Sequence, residues 1–242
     1  MKLLEFPHSH YCEKARWALD FKGLEFEAVP ILPMFHLITI KKFAPNTTVP
    51  VLLNAEDAKQ GSSEIITYLD DKYPTDLLTP SKEKERKKCL EIEQQMDECL
   101  GENLRRIYYS KLLAYPELIG HCFTHPMPKI KQIIFKLIYP FCRYKIYQHF
   151  VISEQRVDQS IKDFAKSMDE LAVILEGKEY LIDDRFSRAD LSIASMLSLM
   201  IMPKEHPFPW QEMPDPYIKS FQESYHDHPV STWVRMIYSR HR

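Results

Sequence analysis

Short apolar runs and helical patterns alternate at the start of the chain. Residues 2–6 (KLLEF) form an apolar run before a proline, which predicts a buried strand. Residues 13–23 place apolar side chains near helical spacing and end in glycine, which predicts a helix that stops there. Residues 24–31 alternate apolar and acidic side chains, which predicts a second strand with one polar face.

The alternation continues through residue 74. Residues 34–45 predict a short helix. Residues 48–53 (TVPVLL) predict a strand, and Pro50 should lie at its start or at an edge because proline cannot donate to a strand ladder; its peptide bond is a candidate for the cis form. Polar residues 54–61 predict a turn that also holds any fourth strand. Residues 62–74 predict a helix with a serine cap and an acidic first turn.

This order of elements predicts a small mixed sheet with helices on its faces. Residues 74–88 are a polar, proline-flanked linker that runs into a charged helix, and they mark the boundary between a first domain over 1–76 and a second over 83–242. No second strand system follows, so the second domain is predicted to be all-helical and the fold class α/β plus all-α. Helical periodicity covers 82–113, 128–150, 153–176 and 187–202.

One helix start in the second half carries a strong signal. Ser187 can cap the helix, and Asp190 stands three residues later, where a capping box has Glu or Gln. Phe186 before the cap and Leu191 after it can pack together as a hydrophobic staple. We expect this segment to have a structural role.

Composition narrows the class of protein. The chain has 242 residues, of which 45% are hydrophobic and 27% charged, which is typical of a globular protein with a sizeable core. A net charge of −2 gives no support for a nucleic-acid surface. The initial apolar run is too short for a signal peptide, and no apolar stretch is long enough to span a membrane.

Five cysteines are irregularly spaced, with no CxxC pair and no zinc-finger spacing. We interpret them as free thiols in a reducing compartment, which predicts a cytoplasmic protein. His8 and His10 are two positions apart with no third ligand nearby, so no metal site is predicted.

Four segments together resemble the glutathione S-transferase superfamily, of the cytosolic, bacterial-like type with a Ser/Cys motif in the active-site loop. They are, in order, PHSHYCEKARWALD, TVPVLL, GSSEIITYLDDKYP and FSRADLSIASML. The resemblance implies a thioredoxin-like N-terminal domain followed by a helical glutathione-transferase domain. It also implies glutathione as co-substrate, a small hydrophobic second substrate, a homodimer and a role in detoxification.

Conjugation of glutathione requires its thiolate, because the thiol is a poor nucleophile. A hydroxyl donor and the N-terminus of a helix both stabilise a thiolate, and Ser9 lies just ahead of a helix that begins near residues 11–13. By resemblance, Ser9 falls where the family has its catalytic Ser or Cys. The alternative is that Ser9 serves only as the helix N-cap.

Cys12 offers a second chemistry. It falls on the fourth position of the motif, where glutaredoxin relatives have their second cysteine. At a helix N-terminus it would be a low-pKa thiol that forms mixed disulfides with glutathione, as in a thiol-disulfide oxidoreductase or peroxidase. The alternative is a small buried helix residue.

The resemblance also suggests how glutathione is bound. The backbone of Val49, held by Pro50, would pair with the cysteinyl unit as strand edges do with peptides. The helix that starts at Ser62 would receive the γ-glutamyl carboxylate, with Ser63 donating to it and Glu64 accepting from the amino group. Helix capping alone is the alternative for these residues.

The remaining candidates are weaker. Lys42 is the choice for the glycyl carboxylate. Thr47 and Thr48 stand where many family members have Gly and Lys, so no lysine contact is expected there. The acceptor site should lie in a cleft between the domains. Candidates for its walls are His10, Tyr11, Tyr108, Tyr109 and Tyr115.

Two questions stay open at the level of sequence. Residues 128–150 have a basic amphipathic character, which fits contact with a membrane surface or packing on their own domain. The function is either a glutathione transferase acting on a hydrophobic electrophile, a thiol-exchange enzyme using Cys12, or a non-catalytic ligand-binding protein on the same fold.

Overall fold

The structure is a computed structural model, and it describes residues 1–55 and 57–242. Glu56, which falls in the predicted turn over 54–61, lies outside the described residues. Within these residues, the first part of the chain holds a sheet with three helices, and the rest is helical.

The sheet has four strands in the order β2-β1-β3-β4. Their bounds are Lys2–Glu5 for β1, Glu27–Pro30 for β2, Val51–Leu53 for β3 and Ala58–Gln60 for β4. β1 pairs in parallel with β2 and antiparallel with β3, and β3 is antiparallel to β4. The mixed sheet, with a fourth strand inside the polar segment, is therefore confirmed.

The first three helices differ in detail from the predictions. They are α1 over His10–Phe21, α2 over Phe35–Ile40 and α3 over Ser62–Lys72. The predicted serine cap on α3 is wrong: Gly61 is the N-cap, with φ of 95°, a conformation that glycine adopts without steric cost. Pro50 precedes β3, and its peptide bond is cis.

The helical part begins with a long broken helix. α4 covers Glu83–Met96, a π-helical segment covers Asp97–Glu102, and α5 covers Asn103–Leu112. The predicted helix over 82–113 is thus continuous, but its middle segment has the hydrogen-bond pattern of a π-helix. The remaining helices are α6 over Pro116–Thr124, α7 over Lys129–His149, α8 over Glu154–Leu175, α9 over Arg188–Ile201, α10 over Pro216–Ser224 and α11 over Pro229–His241. Of these, α6, α10 and α11 were not predicted.

A shared apolar core joins the sheet part to the helical part. α1 packs on both α3 and α9, and α9 also packs on α4 and α11. Trp17 of α1 is fully buried, its ring centroid lies 4.5 Å from that of Tyr238, and its Nε1 donates to the carbonyl of His241 at 2.7 Å. Burial of this apolar surface fixes the position of α1, and with it the loop that precedes α1.

The capping box at α9 forms as predicted. The backbone N–H of Ser187 donates to Asp190 at 2.8 Å and the Ser187 hydroxyl donates at 2.6 Å, while the N–H of Leu181 donates to the other carboxylate oxygen at 2.8 Å. All the hydrogen-bonded groups are buried, so the box ties the loop before α9 to the helix.

Candidate functional site

A cavity of about 440 Å³ lies between the sheet and the helical part. From the first part of the chain it is lined by Phe6, His8, Ser9, His10, Tyr11, His36, Thr47, Thr48 and Val49, among others. From the helical part it is lined by Arg105, Tyr108, Tyr109, Ile119, Phe123, Lys145, Ile146 and Phe150, among others. Most of the wall is apolar, and none of the described residues that line it is Asp or Glu.

Ser9 lies on the wall of this cavity as the N-cap of α1. Its backbone is extended, with φ of −73° and ψ of 125°, and its Oγ accepts from the N–H of Cys12 at 3.4 Å. Because a hydroxyl accepts and donates at once, the Ser9 proton is still available to a ligand. Ser9 also stands at the N-terminus of α1, which carries the partial positive charge of the helix dipole.

Cys12 does not have the environment expected of a reactive thiol. It is fully buried on α1 and does not line the cavity. Burial raises the pKa of the Cys12 thiol to about 12, and the nearby carboxylate of Glu5 acts in the same direction. The expectation of a low-pKa thiol at this position is therefore wrong, because desolvation outweighs the effect of the helix N-terminus.

Val49 is the second predicted contact that the cavity includes. It precedes the cis peptide bond to Pro50 and lies outside β3. Among the described residues, no hydrogen bond engages its N–H or its C=O. Val49 therefore offers both backbone groups to an extended ligand, while the buried Pro50 supports it from behind.

The α3 candidates lie away from the cavity wall. Ser62 is buried, Glu64 is exposed, and neither lines the cavity. Lys42 is exposed beyond the end of α2 and does not line it either. The structure therefore brings Ser9 and Val49 together, but leaves these three side chains outside the enclosed space.

Ser63 is held by charged groups from both parts of the chain. Its Oγ accepts from Lys14 Nζ at 3.0 Å and donates to the Asp97 carboxylate at 3.3 Å. Lys14 is fully buried and also pairs with Glu93 at 2.7 Å, and Arg188 Nε pairs with the same Glu93 at 2.7 Å. Ser63 thus has a structural role between α1 and the helical part in this structure.

The aromatic candidates divide clearly. His10, Tyr11, Tyr108 and Tyr109 line the cavity, as the resemblance implied for an acceptor site. Tyr115 does not: its hydroxyl donates to Asp215 at 3.2 Å at the start of α10. The cavity therefore gives no support to Tyr115 as part of an acceptor site.

Three imidazoles on the wall are neutral near pH 7. Burial lowers the pKa of His8 and of His36 to about 4, and it lowers the pKa of His10 well below the usual range. His8 Nδ1 donates to the carbonyl of Cys122 at 2.8 Å, which fixes its orientation. These rings therefore contribute polarity without charge.

The cationic side chains that line the cavity were not predicted from the sequence. Arg105 of α5 and Lys145 of α7 come from segments with no recognisable motif, and their positions depend on how the helices pack. The basic character of residues 128–150 was visible, but not which of its lysines would reach the site.

Residues 1–55 and 57–242 lack two kinds of structure. Within them, no three or more His, Cys, Asp or Glu side chains come together as ligands for a metal ion. In the same part of the chain, no helix combines the length and the apolar character needed to cross a bilayer.

Comparison with known proteins agrees with this architecture. Residues 3–81 match the family described as glutathione S-transferase, N-terminal domain. Glutathione S-transferase Z2 of Arabidopsis thaliana is 36% identical over 88 residues, which are 34% of this chain and 38% of that protein. The match to the curated relatives thus spans well under half of their length.

Likeness to solved structures extends over the whole chain. A glutathione S-transferase domain-containing protein of Marinobacter aquaeolei aligns with a TM-score of 0.63 at 18% identity, covering 99% of this chain and 98% of that one. Residues 3–81 are therefore a glutathione S-transferase N-terminal domain, and the whole chain has the fold of these solved structures. A second superfamily structure, a glutathione S-transferase of Methylobacillus flagellatus with glutathione bound, aligns with a TM-score of 0.60 at 14% identity over 97% of this chain and 92% of that one. At these identities the likeness shows the fold.

The match over residues 3–81 and the likeness to the solved structures confirm the predicted fold class. The thioredoxin-like sheet with its helices comes first, and the helical glutathione-transferase domain follows. Of the four segments that carried the resemblance, two flank the cavity directly, through Ser9 and Val49, and the capping box at Ser187 stabilises the helical domain from inside.

Proposed function

We propose that this chain is a glutathione transferase that ionises glutathione at Ser9 and joins it to an electrophile with an apolar body in the cavity. The observation that carries this proposal is the placement of Ser9 and Val49 on one wall of a cavity whose other wall is apolar and helical. A co-substrate and an acceptor can therefore meet in one space.

Glutathione would lie extended along the segment before Pro50. The Val49 N–H and C=O, which bond to no other described group, would pair with its cysteinyl unit. Its γ-glutamyl carboxylate would reach the N-terminus of α3 at Ser62, where the backbone N–H of Ser63 and the side chain of Glu64 would be further contacts, and Lys42 would meet the glycyl carboxylate. The superfamily structure with bound glutathione supports this use of the fold.

The thiol would then sit at the start of α1. The Ser9 hydroxyl would donate a hydrogen bond to the sulfur, and the first-turn N–H groups would add their dipole. Both interactions favour the charged form, so the pKa of the bound thiol falls and the thiolate attacks the electrophile. His10, Tyr11, Tyr108 and Tyr109 would enclose the acceptor.

The geometry argues against the thiol-exchange alternative. Cys12 Sγ is buried behind the first turn of α1, and its raised pKa keeps it protonated. A disulfide with glutathione would need both exposure and a thiolate.

The test is conjugation of glutathione to 1-chloro-2,4-dinitrobenzene, followed by absorbance, with two serine variants. Ser9→Ala and Ser153→Ala each remove an N-cap side chain, because Ser153 accepts from the N–H of Arg156 at 3.3 Å at the start of α8. We expect Ser9→Ala to lower kcat/KM about 100-fold, in line with the loss of a donor to a developing anion, and Ser153→Ala to leave it near wild type.

Two results would count against the proposal. Equal activity of Ser9→Ala and Ser153→Ala would remove Ser9 from the chemistry. Absence of turnover by the wild type, with glutathione bound, would favour the non-catalytic ligand-binding alternative.

Further features of the proposal concern the whole protein. We propose a cytoplasmic homodimer with a role in detoxification, built from domains over 1–76 and 83–242. The five cysteines, all free thiols, support a reducing compartment. The end of α3 at Lys72 and the start of α4 at Glu83 support the boundary.

A further inference from the structure

The cavity contains an arginine without a counter-ion. Arg105 lies on the wall, and among the described residues no carboxylate forms an ion pair with it. Its Nε is buried and has no hydrogen-bond partner. The next residue, Arg106, differs completely: its guanidinium donates to the carbonyl of Phe150 at 2.9 Å and to Ser160 at 2.8 Å.

Two aromatic rings hold the Arg105 guanidinium in place. Its central carbon lies 4.3 Å from the ring centroid of Phe150 and 5.4 Å from that of Tyr11. Stacking of this kind orients the plane of the guanidinium and limits its motion. The side chain is therefore preorganised rather than free in solvent.

The rest of the wall leaves this positive charge uncompensated. None of the described lining residues is acidic, and His8, His10 and His36 are neutral because burial lowers their pKa. A half-buried cation with an unsatisfied donor is unfavourable until an anion binds it. A planar guanidinium matches a carboxylate through two parallel hydrogen bonds.

We propose that the acceptor substrate is an electrophile with an apolar body and a carboxylate, and that Arg105 binds the carboxylate. This inference rests on the proposed function, because it names the substrate class of the same cavity. Apolar side chains that line the same cavity, such as Ile119 and Phe123, would contact the body of the substrate. Tyr11, which stacks on Arg105, follows Ser9 by two residues. The group that binds the carboxylate and the group that activates the thiol would therefore lie close together.

The test compares 4-chloro-3-nitrobenzoate with 4-chloro-3-nitrobenzamide, which share the reactive ring and differ in charge. The readout is the ratio of kcat/KM for the acid to that for the amide, which cancels any general loss of activity. We expect Arg105→Gln to lower this ratio about 10- to 100-fold, as expected for loss of a charged hydrogen bond. Arg105→Lys, which keeps the charge and loses the planar fork, should retain an intermediate ratio.

A binding experiment separates this inference from the proposed function. Calorimetric titration with 4-nitrobenzoate, which lacks the leaving group, reports carboxylate binding without turnover. Binding to the wild type that is lost in Arg105→Gln supports the carboxylate site even if neither electrophile reacts. If the acid-to-amide ratio is unchanged in Arg105→Gln, the carboxylate site is overturned while the transferase function stands. If, in addition, the KM for glutathione rises, Arg105 binds the co-substrate instead.

A second inference comes from α7, on a different observation. Five large apolar side chains on this helix are exposed, with Leu137 at 77% and Ile130 at 63% of their area. The five are Ile130, Ile133, Leu137, Phe141 and Tyr144. Their spacing of three or four residues places them in one stripe along the helix, opposite the buried Phe135, Tyr139 and Cys142.

Basic residues flank this stripe on both sides. Lys129, Lys136 and Arg143 recur every seven residues along one side, where Lys136 also pairs with the exposed Glu117 at 3.1 Å. Lys131 and Lys145, which also borders the cavity, lie on the other side. The helix contains no Asp or Glu, although the chain as a whole carries a net charge of −2. An apolar stripe between basic rows is the arrangement of helices that lie in the surface of an anionic membrane.

We infer that α7 binds the surface of an anionic lipid bilayer, with the stripe in the headgroup region. A second copy of the chain is a poorer occupant, because the two copies would bring like-charged rows together. This answers the question that the basic amphipathic pattern of residues 128–150 left open: part of the helix packs on its own domain, and its outer face is free to meet lipid.

Vesicle flotation tests this inference with phosphatidylcholine alone and with phosphatidylserine added. Leu137→Glu and Val173→Glu are a matched pair, because Val173 of α8 is 73% exposed and lies outside the stripe. We expect the wild type and Val173→Glu to bind the anionic vesicles, and Leu137→Glu to bind about tenfold or more weakly. Failure of the wild type to bind anionic vesicles at low salt would overturn it. So would a dimer in analytical ultracentrifugation that Leu137→Glu dissociates.

Discussion

Gly101 leaves almost no room for a side chain. It lies in the π-helical segment, where an added Cβ would approach Met196 Sδ to 2.6 Å and the Tyr11 hydroxyl to 2.8 Å. Tyr11 is itself fixed, because its hydroxyl donates to the carbonyl of Asp97 at 2.7 Å. The close approach allows α1 and the broken helix to come together next to the cavity.

Gly101→Ala should therefore destabilise the protein by about 1–3 kcal/mol through overpacking. Gly120→Ala on α6 is the control, since its nearest contact would be Phe135 at 4.0 Å. There alanine should stabilise by about 0.5–1 kcal/mol, because it is the better helix former. Urea denaturation gives both values, and an equal effect of the two changes would contradict the packing at Gly101.

A buried histidine makes stability depend on pH. The pKa of His8 is lowered to about 4 in the folded chain, against an ordinary value of about 6.5 when unfolded. Between these values the unfolded chain binds the extra proton, so the free energy of unfolding falls as the pH drops from 6.5 to 4. His8→Gln removes this contribution. The wild type should lose more stability than His8→Gln over that pH range in parallel denaturation curves, and identical pH profiles would contradict the assignment.

Residue chemistry also shows what sequence alone could not supply. The environment of Cys12 looked activating from its position at a helix start, yet tertiary packing buries the thiol and reverses the direction of its pKa. The Ser63 hydroxyl looked available to bind glutathione, yet it is hydrogen-bonded to Lys14 and Asp97, which come from distant segments. Local pattern predicts where a residue stands in a helix, while its burial and partners depend on chain segments far away.

The elements predicted best from the sequence are those marked by short-range features, such as an apolar run or a helix cap. The mixed sheet, the helix after Ser9 and the capping box at Ser187 follow from short-range chemistry and are present in the structure. The helices α6, α10 and α11 were missed because each begins with a proline, a residue that can start a helix but also ends one.

The two serine N-caps at Ser187 and Ser153 should differ in strength. Ser187 is fully buried and bonded to Asp190, whereas Ser153 is exposed. Ser187→Ala leaves a buried carboxylate short of one donor and should cost about 2–3 kcal/mol, against about 0.5–1 kcal/mol for Ser153→Ala. Thermal and urea denaturation of both variants measure this difference, and equal costs would show that the box adds nothing beyond an ordinary cap.

At the scale of the whole molecule, buried charges join the two domains. Lys14 from α1 meets Glu93 and Asp97 from the broken helix, at 2.7 and 2.5 Å. Lys14→Met should destabilise the protein by about 3–5 kcal/mol, because the buried Glu93 and the largely buried Asp97 each lose a cationic partner. Lys87→Met is the control, since Lys87 is 75% exposed and pairs loosely with Glu91. A loss below about 1 kcal/mol for Lys14→Met in urea denaturation would contradict a tight charged junction.

The cavity belongs to the same scale, because it exists only once the domains have packed. Its first wall could be anticipated from the loop at Ser9 and the segment at Val49. Its second wall, with Arg105, depends on how α5 and α7 are placed, and no spacing in the sequence encodes that placement. The wall that carries Ser9 and Val49 could therefore be predicted from the sequence. The wall that would select the acceptor substrate could not.

The measurement that tests the central claim most directly is the ultraviolet difference absorbance of glutathione thiolate on the protein, titrated from pH 5 to 9. With wild type, the thiolate signal should appear with an apparent pKa well below the value of about 8.5 for a free thiol. With Ser9→Ala the apparent pKa should move back toward that value, and with Ser153→Ala it should not move. A flat signal at saturating glutathione, or a signal that Ser9→Ala leaves unchanged, would contradict activation of the thiol at Ser9.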